Sequence, residues 1–445
     1  MNSLFTPLKM EGLTTLKINY DYKTDKVRFF CAKEWDSDLD FSNYNKDFCM
    51  ESILTDDARY LNTAETLALY EKYNLSKYLE EVLDLIRQGK HFGIECYYND
   101  KYNIRFMCNI HSRKMGINNK YHATMAGGIR RHGFEEAEID VIVDGLNLGR
   151  GMSFKNIAAE LEFGGCKTTV HMEPLTQEKM NNLDLMGFLA FTIDRSRSLT
   201  AADMNFPTEM SDVIREHFSV QYTCGSGAPI GESGRPTAHG VYLAVKEAVK
   251  FKTGSESLKG MSVAVQGLGA VGWYAAEHFL SEDVTLYVSD FNEQLIEDLK
   301  TKYPKANIIA ATDDIMVVAA DIFCPCAVGG IIHEGNIPSL NFKYIFGAAN
   351  NVLKATSQEE EIRLARLLAE KGILYQTEWW HNTAGVLCGV EHYLYGDEAT
   401  YDNFVNKVIK NVSGKTLKNL NEASRLGITP TENAYKMCQE AIYEK

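Results

Sequence analysis

The chain has 445 residues, of which 45% are hydrophobic and 11% aromatic, and its formal net charge is −14. This much apolar material can bury a core, which excludes global disorder. An acidic surface repels phosphate groups, so we expect neither a nucleic-acid partner nor binding to an anionic membrane. No run of about 18 apolar residues occurs, and the N-terminus has no apolar signal segment. We therefore expect a cytoplasmic protein whose ten cysteines are reduced. Because HExxH and paired CxxC motifs are absent, we expect no metal site.

The first half of the chain has one clear helical pattern and one clear interruption. Apolar residues recur at three- and four-residue steps over Ser76–Gln88, which predicts a helix. Short strand-like runs follow between residues 93 and 172, with a helix predicted over Glu135–Leu148. The Gly/Ser/Pro-rich stretch Gly225–Pro236 breaks the periodicity and indicates a linker or hinge.

Beyond this stretch, helices and strands alternate. Predicted helices cover Thr237–Lys252, Trp273–Leu280 and a segment that begins after Ser357 and ends at Gly372, and predicted strands cover Met261–Gln266, Val284–Asp290, Asp321–Cys326, Tyr344–Ala348 and Ile373–Tyr375. The alternation predicts an α/β fold with a doubly wound parallel sheet. The last 50 or so residues are predicted to be helical.

A glycine-rich turn joins the predicted strand Met261–Gln266 to the next helix. Gly267, Gly269 and Gly272 have the spacing G-x-G-x-x-G, which lets a pyrophosphate approach the backbone at a helix N-terminus. Asp290 ends the following strand, at a position where a carboxylate accepts hydrogen bonds from the ribose hydroxyls of a dinucleotide. No arginine follows Asp290, so the pattern favours NAD over NADP. The alternative is an ordinary glycine-rich turn.

Two lysines lie among small and apolar residues. Lys155 follows Met152-Ser-Phe, and Lys167 follows Gly164-Gly-Cys. Most lysines are solvated surface residues, but a desolvated lysine beside another cation can act as a base near neutral pH. Asp203 could complete such a site, although a single aspartate is more often a cap or turn residue.

Further motifs follow one another in order from about Ile94 to Gly396. They are Gly127-Gly-Ile-Arg130, Met152-Ser-Phe-Lys-Asn156, Gly164-Gly-Cys-Lys167, Thr200-Ala-Ala-Asp203, Cys326-Ala-Val-Gly329, Gly347-Ala-Ala-Asn-Asn351 and Asn382-Thr-Ala-Gly-Val386. Together with the glycine-rich turn, they resemble the glutamate/leucine/phenylalanine/valine dehydrogenase family, and its leucine and phenylalanine branch most of all. Cys166 and Ala202 depart from the residues usual in that family.

The resemblance implies a reaction and the roles of three residues. NAD would accept a hydride from the α-carbon of an L-amino acid, and water would hydrolyse the resulting iminium to a 2-oxo acid and ammonia. Lys155 would bind the α-carboxylate, Lys167 would act as general base on the water, and Asp203 would relay the proton of the amino group. The resemblance also implies a homo-oligomer.

The resemblance assigns further contacts by position. The expected cofactor contacts are Thr237, Gly267, Gly269, Ala270, Val271, Gly272, Asp290, Cys326, Ala327, Asn350, Asn351 and Asn382. The expected substrate contacts besides Lys155 are Gly128, Ala126, Met152, Ala201, Val386 and Gly389. Glutamate-specific members have a lysine where this chain has Ala126, so glutamate is disfavoured. If these residues line the pocket, we expect the substrate to have a large apolar or aromatic side chain. The alternative is that they are ordinary core residues.

The expected organisation has two domains with a cleft between them. Residues 91–225 would form a substrate-binding and oligomerisation domain with a mixed sheet, and residues 226–390 a Rossmann-like NAD-binding domain. Residues 391–445 would form helices that return to the substrate domain. Residues 1–90 form an extension of unknown role, expected to pack on the substrate domain.

Two other functions are compatible with parts of the sequence. A catalytically silent paralogue with a regulatory or assembly role would be under no chemical demand to keep Lys155, Lys167 and Asp203 together. An oxidoreductase acting on a hydroxy acid would need a catalytic histidine, for which His381 is the nearby candidate.

Overall fold

The chain folds into two compact units. The computed structural model describes residues 2–44, 53, 55–113, 116, 122–311 and 314–444. The first unit comprises Met1–Asn156, Leu161–Glu232 and Gly389–Ala399, and the second comprises Ile157–Glu160, Ser233–Cys388 and Thr400–Lys445. One of the five points where the chain passes between them lies at Glu232 and Ser233, inside the stretch Gly225–Pro236 that the sequence indicates as a linker.

The described residues of the first unit contain a ten-stranded mixed sheet. Its strands are β1 (Thr15–Asp21), β2 (Lys26–Lys33), β3 (Arg59–Leu61), β4 (Gly93–Asn99), β5 (Ile104–Ser112), β6 (Met125–Ala126), β7 (Ile129–His132), β8 (Gly164–His171), β9 (Ser198–Ala201) and β10 (Tyr222–Thr223). Its helices are α1 (Thr6–Glu11), α2 (Thr63–Lys72), α3 (Ser76–Gln88), α4 (Glu138–Ala158, the last two residues of which belong to the second unit), α5 (Gln177–Met180), α6 (Leu183–Ser196) and α7 (Glu209–His217). The strand order is β10-β9-β6-β8-β5-β4-β1-β2-β3, and β7 also pairs with β8.

Strand β5 shows how this sheet is buried on both faces. Phe106, Cys108 and Ile110 belong to an apolar cluster that includes residues of α6, whereas Met107 belongs to a second cluster with residues of α3. Successive side chains of a strand point to opposite faces, so β5 is covered by helices on both sides. The helix predicted over Ser76–Gln88 is observed with those bounds and supplies one of the covers.

Helix α4 is longer than the helix predicted over Glu135–Leu148. It continues through several glycines, which normally weaken a helix. Here they allow close packing, because a Cβ at Gly145 would overlap the side chain of Asn109, and a Cβ at Gly149 would lie 2.7 Å from the Asn109 carbonyl oxygen. The glycines therefore let α4 lie directly against β5, and the helix extends far enough to include Lys155.

The second unit has a six-stranded parallel sheet among its described residues. Its strands are β11 (Ser262–Gln266), β12 (Thr285–Ser289), β13 (Asn307–Ala310), β14 (Ile322–Pro325), β15 (Tyr344–Ile345) and β16 (Leu374–Tyr375). Their order, β13-β12-β11-β14-β15-β16, is the 3-2-1-4-5-6 order of a doubly wound dinucleotide-binding fold. The predicted α/β fold is confirmed.

Helices complete this unit. They are α8 (Gly234–Thr253), α9 (Gly272–Leu280), α10 (Glu293–Lys302), α11 (Gln358–Glu370), α12 (Glu378–His381), α13 (Ala384–Tyr395, the last seven residues of which belong to the first unit), α14 (Tyr401–Val408), α15 (Gly414–Leu426) and α16 (Pro430–Gln439). No helix in the described part of the chain combines the length and the apolar character needed to cross a membrane.

The C-terminal residues divide differently from the expected return of residues 391–445 to the substrate domain. Only Gly389–Ala399 belongs to the first unit, and Thr400–Lys445 belongs to the second. Buried polar bonds explain this: the Asn419 amide donates to the Gln376 side chain at 2.9 Å, and the Trp380 indole donates to the Lys415 carbonyl at 3.2 Å. Sequence periodicity predicts the helices but not these long-range partners.

Candidate active site

Strand β8 carries Lys167 into the interior of the first unit. A Cβ at Gly164 would overlap the Ser112 carbonyl on β5, and a Cβ at Gly165 would overlap the Ser153 backbone on α4. Only glycine fits at both positions, which holds β8 tightly between its neighbours. Lys167 follows directly and is only 6% exposed.

Lys167 lies in a cluster with Asp203 and Arg130. The Lys167 ammonium donates a hydrogen bond to Oδ2 of Asp203, and the Arg130 Nε donates to the same oxygen at 3.2 Å. The backbone fixes this meeting: the Asp203 amide donates to the Ile129 carbonyl at 3.1 Å, which ties the end of β9 to β7. The structure therefore brings together two of the predicted functional residues, Lys167 and Asp203.

The two cations control the charge of Asp203. Burial by itself would raise the pKa of this carboxyl, but Lys167 and Arg130 outweigh the burial and lower the pKa to about 2. Asp203 is thus an ionised carboxylate near neutral pH, held between an ammonium and a guanidinium. In this form it can accept a hydrogen bond from a cationic amine.

Arg130 is itself held by residues that the sequence did not single out. Its Nη1 donates to Oδ2 of Asp144 on α4 at 2.9 Å, and Nε2 of His132 lies 3.5 Å from the same carboxylate. Burial would raise the pKa of Asp144, but His132 and Arg130 lower it. Residues 130 and 144 meet because β7 lies beside α4. The sequence carried one signal for this network, the arginine that ends the motif Gly127-Gly-Ile-Arg130.

The turn before Arg130 leaves room for the lysine. The Thr168 amide donates to the Gly128 carbonyl at 3.0 Å, so Gly128 lies next to β8. A Cβ at Gly128 would be 2.8 Å from the Lys167 Nζ, closer than a side-chain carbon and an ammonium can pack. Gly128 therefore keeps the space around the ammonium open.

Lys155 lies in the last turn of α4 and is half-buried. The next residue, Asn156, donates its amide to the Gly164 carbonyl at 2.7 Å and to the Ala126 carbonyl at 3.3 Å. These bonds fix the end of α4 to β6 and β8, the strands that carry Ala126 and Lys167.

The residues expected to line the side-chain pocket differ in how deeply they are buried, and they belong to both structural units. In the first unit Ala126 is 1% exposed, Gly389 is buried, and Met152 and Ala201 are half-buried. Val386 is half-buried and belongs to the second unit.

The glycine-rich turn of the second unit has the conformation that its spacing predicts. Gly267 has φ +86°, and its amide donates to the Ser289 carbonyl at 2.8 Å. Gly272 begins α9, and a Cβ there would overlap the Gly267 carbonyl oxygen. Gly269, by contrast, is exposed, and a Cβ there would meet no atom within 4 Å. The turn is therefore closed on the protein side and open at Gly269, where a pyrophosphate would approach the N-terminus of α9. The next two residues line this approach: Ala270 is exposed and Val271 is half-buried.

Asp290 stands directly after β12, beside this turn. Its Oδ2 accepts the Leu268 amide at 2.6 Å, and its Oδ1 accepts the Asn292 amide at 2.8 Å. Each carboxylate oxygen keeps a further lone pair for a ribose hydroxyl. The turn, α9 and Asp290 together fit the adenosine half of NAD.

The loop between β15 and α11 carries Asn350 and Asn351, which are exposed. The Asn382 amide donates to Oδ1 of Asn350 at 3.2 Å, and the Asn351 amide donates to Oε1 of Glu378 at 2.6 Å. Three of the expected cofactor contacts, Asn350, Asn351 and Asn382, thus form one connected group. Glu378 was not predicted.

Three expected cofactor contacts lie elsewhere in this unit. Cys326 and Ala327 follow β14, and Ala327 is beside Gly267, where a Cβ would lie 2.8 Å from the alanine Cβ. Thr237 on α8 donates its hydroxyl to the Ser233 carbonyl at 2.7 Å, which leaves its oxygen able to accept.

His381, the candidate for hydroxy-acid chemistry, is held by hydrogen bonds within the protein. It is fully buried, with Nε2 3.0 Å from the Gly347 carbonyl and Nδ1 3.2 Å from the Gln376 amide. Both ring nitrogens therefore have protein partners that support the loop of Asn350. The neighbouring Trp379 and Trp380 are also buried.

Comparison with known proteins identifies the family of this chain. The family model for glutamate/leucine/phenylalanine/valine dehydrogenase matches residues 231–297. Phenylalanine dehydrogenase from Lysinibacillus sphaericus is 34% identical over 322 residues, which cover 71% of this chain and 81% of the relative. Leucine dehydrogenase from Thermoactinomyces intermedius is 34% identical over 320 residues, covering 71% of this chain and 83% of the relative.

A solved structure shows the same fold. The L-tryptophan dehydrogenase from Nostoc punctiforme superimposes with a TM-score of 0.66 at 27% identity, covering 81% of this chain and 98% of that chain. The resemblance predicted from the motifs is confirmed: the chain belongs to the glutamate/leucine/phenylalanine/valine dehydrogenase family.

Proposed function

We propose that this chain is an NAD-dependent L-amino-acid dehydrogenase that acts on a large apolar or aromatic amino acid. It would catalyse oxidative deamination to the 2-oxo acid and ammonia, and the reverse reductive amination. The observation that carries the proposal is the buried cluster of Lys167, Asp203 and Arg130, in a chain that belongs to a family of amino-acid dehydrogenases. A silent paralogue would have no chemical reason to keep this arrangement.

Different residues of the chain would act in different steps of the reaction. NAD, when bound, supplies the acceptor for the hydride of the substrate α-carbon. Lys155 would bind the α-carboxylate, and Asp203, which is ionised, would accept a proton from the substrate ammonium. As the neutral amine, Lys167 would then take a proton from the water that attacks the iminium carbon, and ammonia would leave as the water oxygen becomes the carbonyl oxygen of the 2-oxo acid. The closely packed turn at Gly128 would keep these groups in position.

The side chain at position 126 supports an apolar substrate. A substrate carboxylate placed near Ala126 would lose its hydration without gaining a cation, which costs several kcal/mol in order of magnitude. The relatives named above are phenylalanine, leucine and tryptophan dehydrogenases. We therefore include Ala126, Met152, Ala201, Gly389 and Val386 in the proposed side-chain pocket.

The test of the proposal is the reduction of NAD, measured by absorbance with aliphatic, aromatic and acidic L-amino acids. Activity should be highest with a large apolar or aromatic amino acid and much lower with NADP, because Asp290 would face the 2′-phosphate. Activity confined to glutamate would contradict the argument from Ala126. A folded protein that binds NADH but oxidises no amino acid of the panel would favour the silent paralogue.

Substitutions in the glycine-rich turn should separate cofactor binding from folding. Gly269→Ala should leave the melting temperature unchanged, because a Cβ there meets open space, but should weaken NADH binding by roughly tenfold or more, because a pyrophosphate must approach the backbone closely. Gly272→Ala should lower the melting temperature as well, because its Cβ overlaps the Gly267 carbonyl. Fluorescence titration with NADH and thermal unfolding measure the two effects. Unchanged NADH affinity in Gly269→Ala would contradict the proposed cofactor position.

The domain roles, location and assembly are also proposals. The first unit would bind the amino acid and the second unit NAD. The nine cysteines in the described part of the chain are all free thiols, which supports a reducing compartment such as the cytoplasm. A homo-oligomer, proposed from the family resemblance, would be detected by light scattering of the purified protein.

A further inference from the structure

The N-terminal part of the first unit contains a basic cavity that shares no residue with the Lys167 cluster. Its volume is about 460 Å³, within the range of small-molecule pockets. Three cationic side chains line it: Lys17 on β1, Arg28 on β2 and Arg195 at the end of α6. Asn19 and Phe30 also line it, which gives the cavity a polar group and an aromatic ring.

The pairing of β1 with β2 explains why these side chains meet. In this antiparallel pair Lys17 lies opposite Phe30, and Asn19 lies opposite Arg28. Residues two apart on a strand share a face, so all four side chains leave the hairpin on the same side. Arg195 reaches this side from α6.

The carboxylates near the cavity do not neutralise its cations. Lys17 lies 3.5 Å from the buried Glu95, but Glu95 is also paired with Arg113. Arg195 pairs with one carboxylate, that of Glu34. Within the described residues, no acidic side chain forms an ion pair with Arg28, which is exposed.

Lys17, Arg113 and Arg195 therefore share two carboxylates, and Arg28 adds a fourth positive charge with no carboxylate partner among the described residues. This is a local excess of positive charge in a chain whose net charge is −14. An excess of this kind in a concave site attracts anions. Guanidinium groups bind both carboxylates and phosphates through paired hydrogen bonds.

We propose that the basic cavity binds a small organic anion that carries at least two negative charges, as phosphate or carboxylate groups, on a frame with an apolar part. Arg28 contributes a charge that no carboxylate of the described residues pairs with, Lys17 and Arg195 add to the positive field, and Phe30 packs against the apolar part. No residue that lines this cavity belongs to the proposed amino-acid site or the proposed NAD site.

The test measures binding by calorimetry on the full-length protein saturated with NADH, so that the glycine-rich turn is occupied. The probes are inorganic pyrophosphate and citrate, which represent phosphate and carboxylate anions. Arg28→Ala should weaken the binding of at least one probe by roughly tenfold or more, because a charge-assisted hydrogen bond is lost. Lys26→Ala is the matched control: Lys26 is exposed on the same strand but does not line the cavity, and its replacement should leave binding unchanged.

The outcomes are distinct. Binding of pyrophosphate alone or of citrate alone, lost in Arg28→Ala, supports the site and identifies the anionic group. Absence of binding of both probes to the wild type overturns the proposal, as does equal affinity in wild type and Arg28→Ala. Because turnover is not measured, the result is independent of the dehydrogenase activity.

Discussion

Replacing Lys167 by alanine is expected to lower kcat for amino-acid oxidation by about 10²- to 10⁴-fold, the range that a positioned general base contributes. The Lys167 side chain is buried and hydrogen-bonded to Asp203, so no exposed lysine can substitute for it. Folding should be retained, because Arg130 still neutralises Asp203 in the variant. The measurement is the rate of NADH formation at saturating amino acid, with NADH binding as the check on the second unit.

Two further variants separate chemistry from charge. Lys167→Arg keeps a positive charge beside Asp203, but a guanidinium does not deprotonate in proteins and cannot act as a base. It should therefore be nearly as inactive as Lys167→Ala. Lys77→Ala removes an exposed lysine of α3 and should leave kcat unchanged. Substantial activity in Lys167→Arg would contradict the role of Lys167 as general base.

The cofactor half of the site was the most predictable from sequence, because its constraints are local. Gly267 needs a positive φ, and Gly272 must be small because it packs against Gly267 itself, five residues away. Both demands appear as glycines in one short motif between a strand and a helix. The position of Asp290 follows from the next strand. Glu378, which supports Asn351, could not be predicted in this way, because its partner is distant in sequence.

The proposed amino-acid site depends on contacts that periodicity does not encode. The predicted helix stops at Leu148, before Gly149 and Gly151, but α4 continues through these glycines because Gly145 and Gly149 let it pack on Asn109. Arg130 and Asp144 meet across β7 and α4, and no spacing rule connects them. The resemblance to a family supplied Lys155, Lys167 and Asp203, whereas the residues that hold Asp203 in place became visible only in three dimensions.

The N-terminal strands were missed for a different reason. In β1, buried residues alternate with half-buried polar residues such as Lys17 and Asn19, so the strand has few apolar residues. Its stability comes from pairing with β2 and β4 on either side. Strands β1, β2 and β3 from the first 90 residues are therefore integral parts of the ten-stranded sheet, and polar side chains of β1 and β2 line the basic cavity.

Replacing Asp203 by asparagine is expected to lower both stability and activity, and the stability effect should depend on pH. The ordinary pKa of 3.8 falls to about 2 in the folded protein, because Lys167 and Arg130 outweigh the burial. A carboxyl with a lower pKa in the folded state stabilises the protein at pH values above 3.8 and loses that contribution as the pH falls through about 2. The shift of nearly two units corresponds to about 2 kcal/mol of unfolding free energy near neutral pH.

Urea unfolding of wild type and Asp203→Asn at pH 7 and at pH 3 would measure this. The variant should be less stable by about 2 kcal/mol at pH 7, and the difference should shrink at pH 3, where the wild type has lost part of the contribution. Asp56→Asn, which removes an exposed carboxylate, is the control and should show no such dependence.

The activity of Asp203→Asn should also be measured. Its kcat should fall, because an amide cannot accept the proton of the substrate ammonium. If stability fell while kcat stayed at the wild-type value, Asp203 would be a structural partner of Lys167 and not a proton acceptor in the reaction.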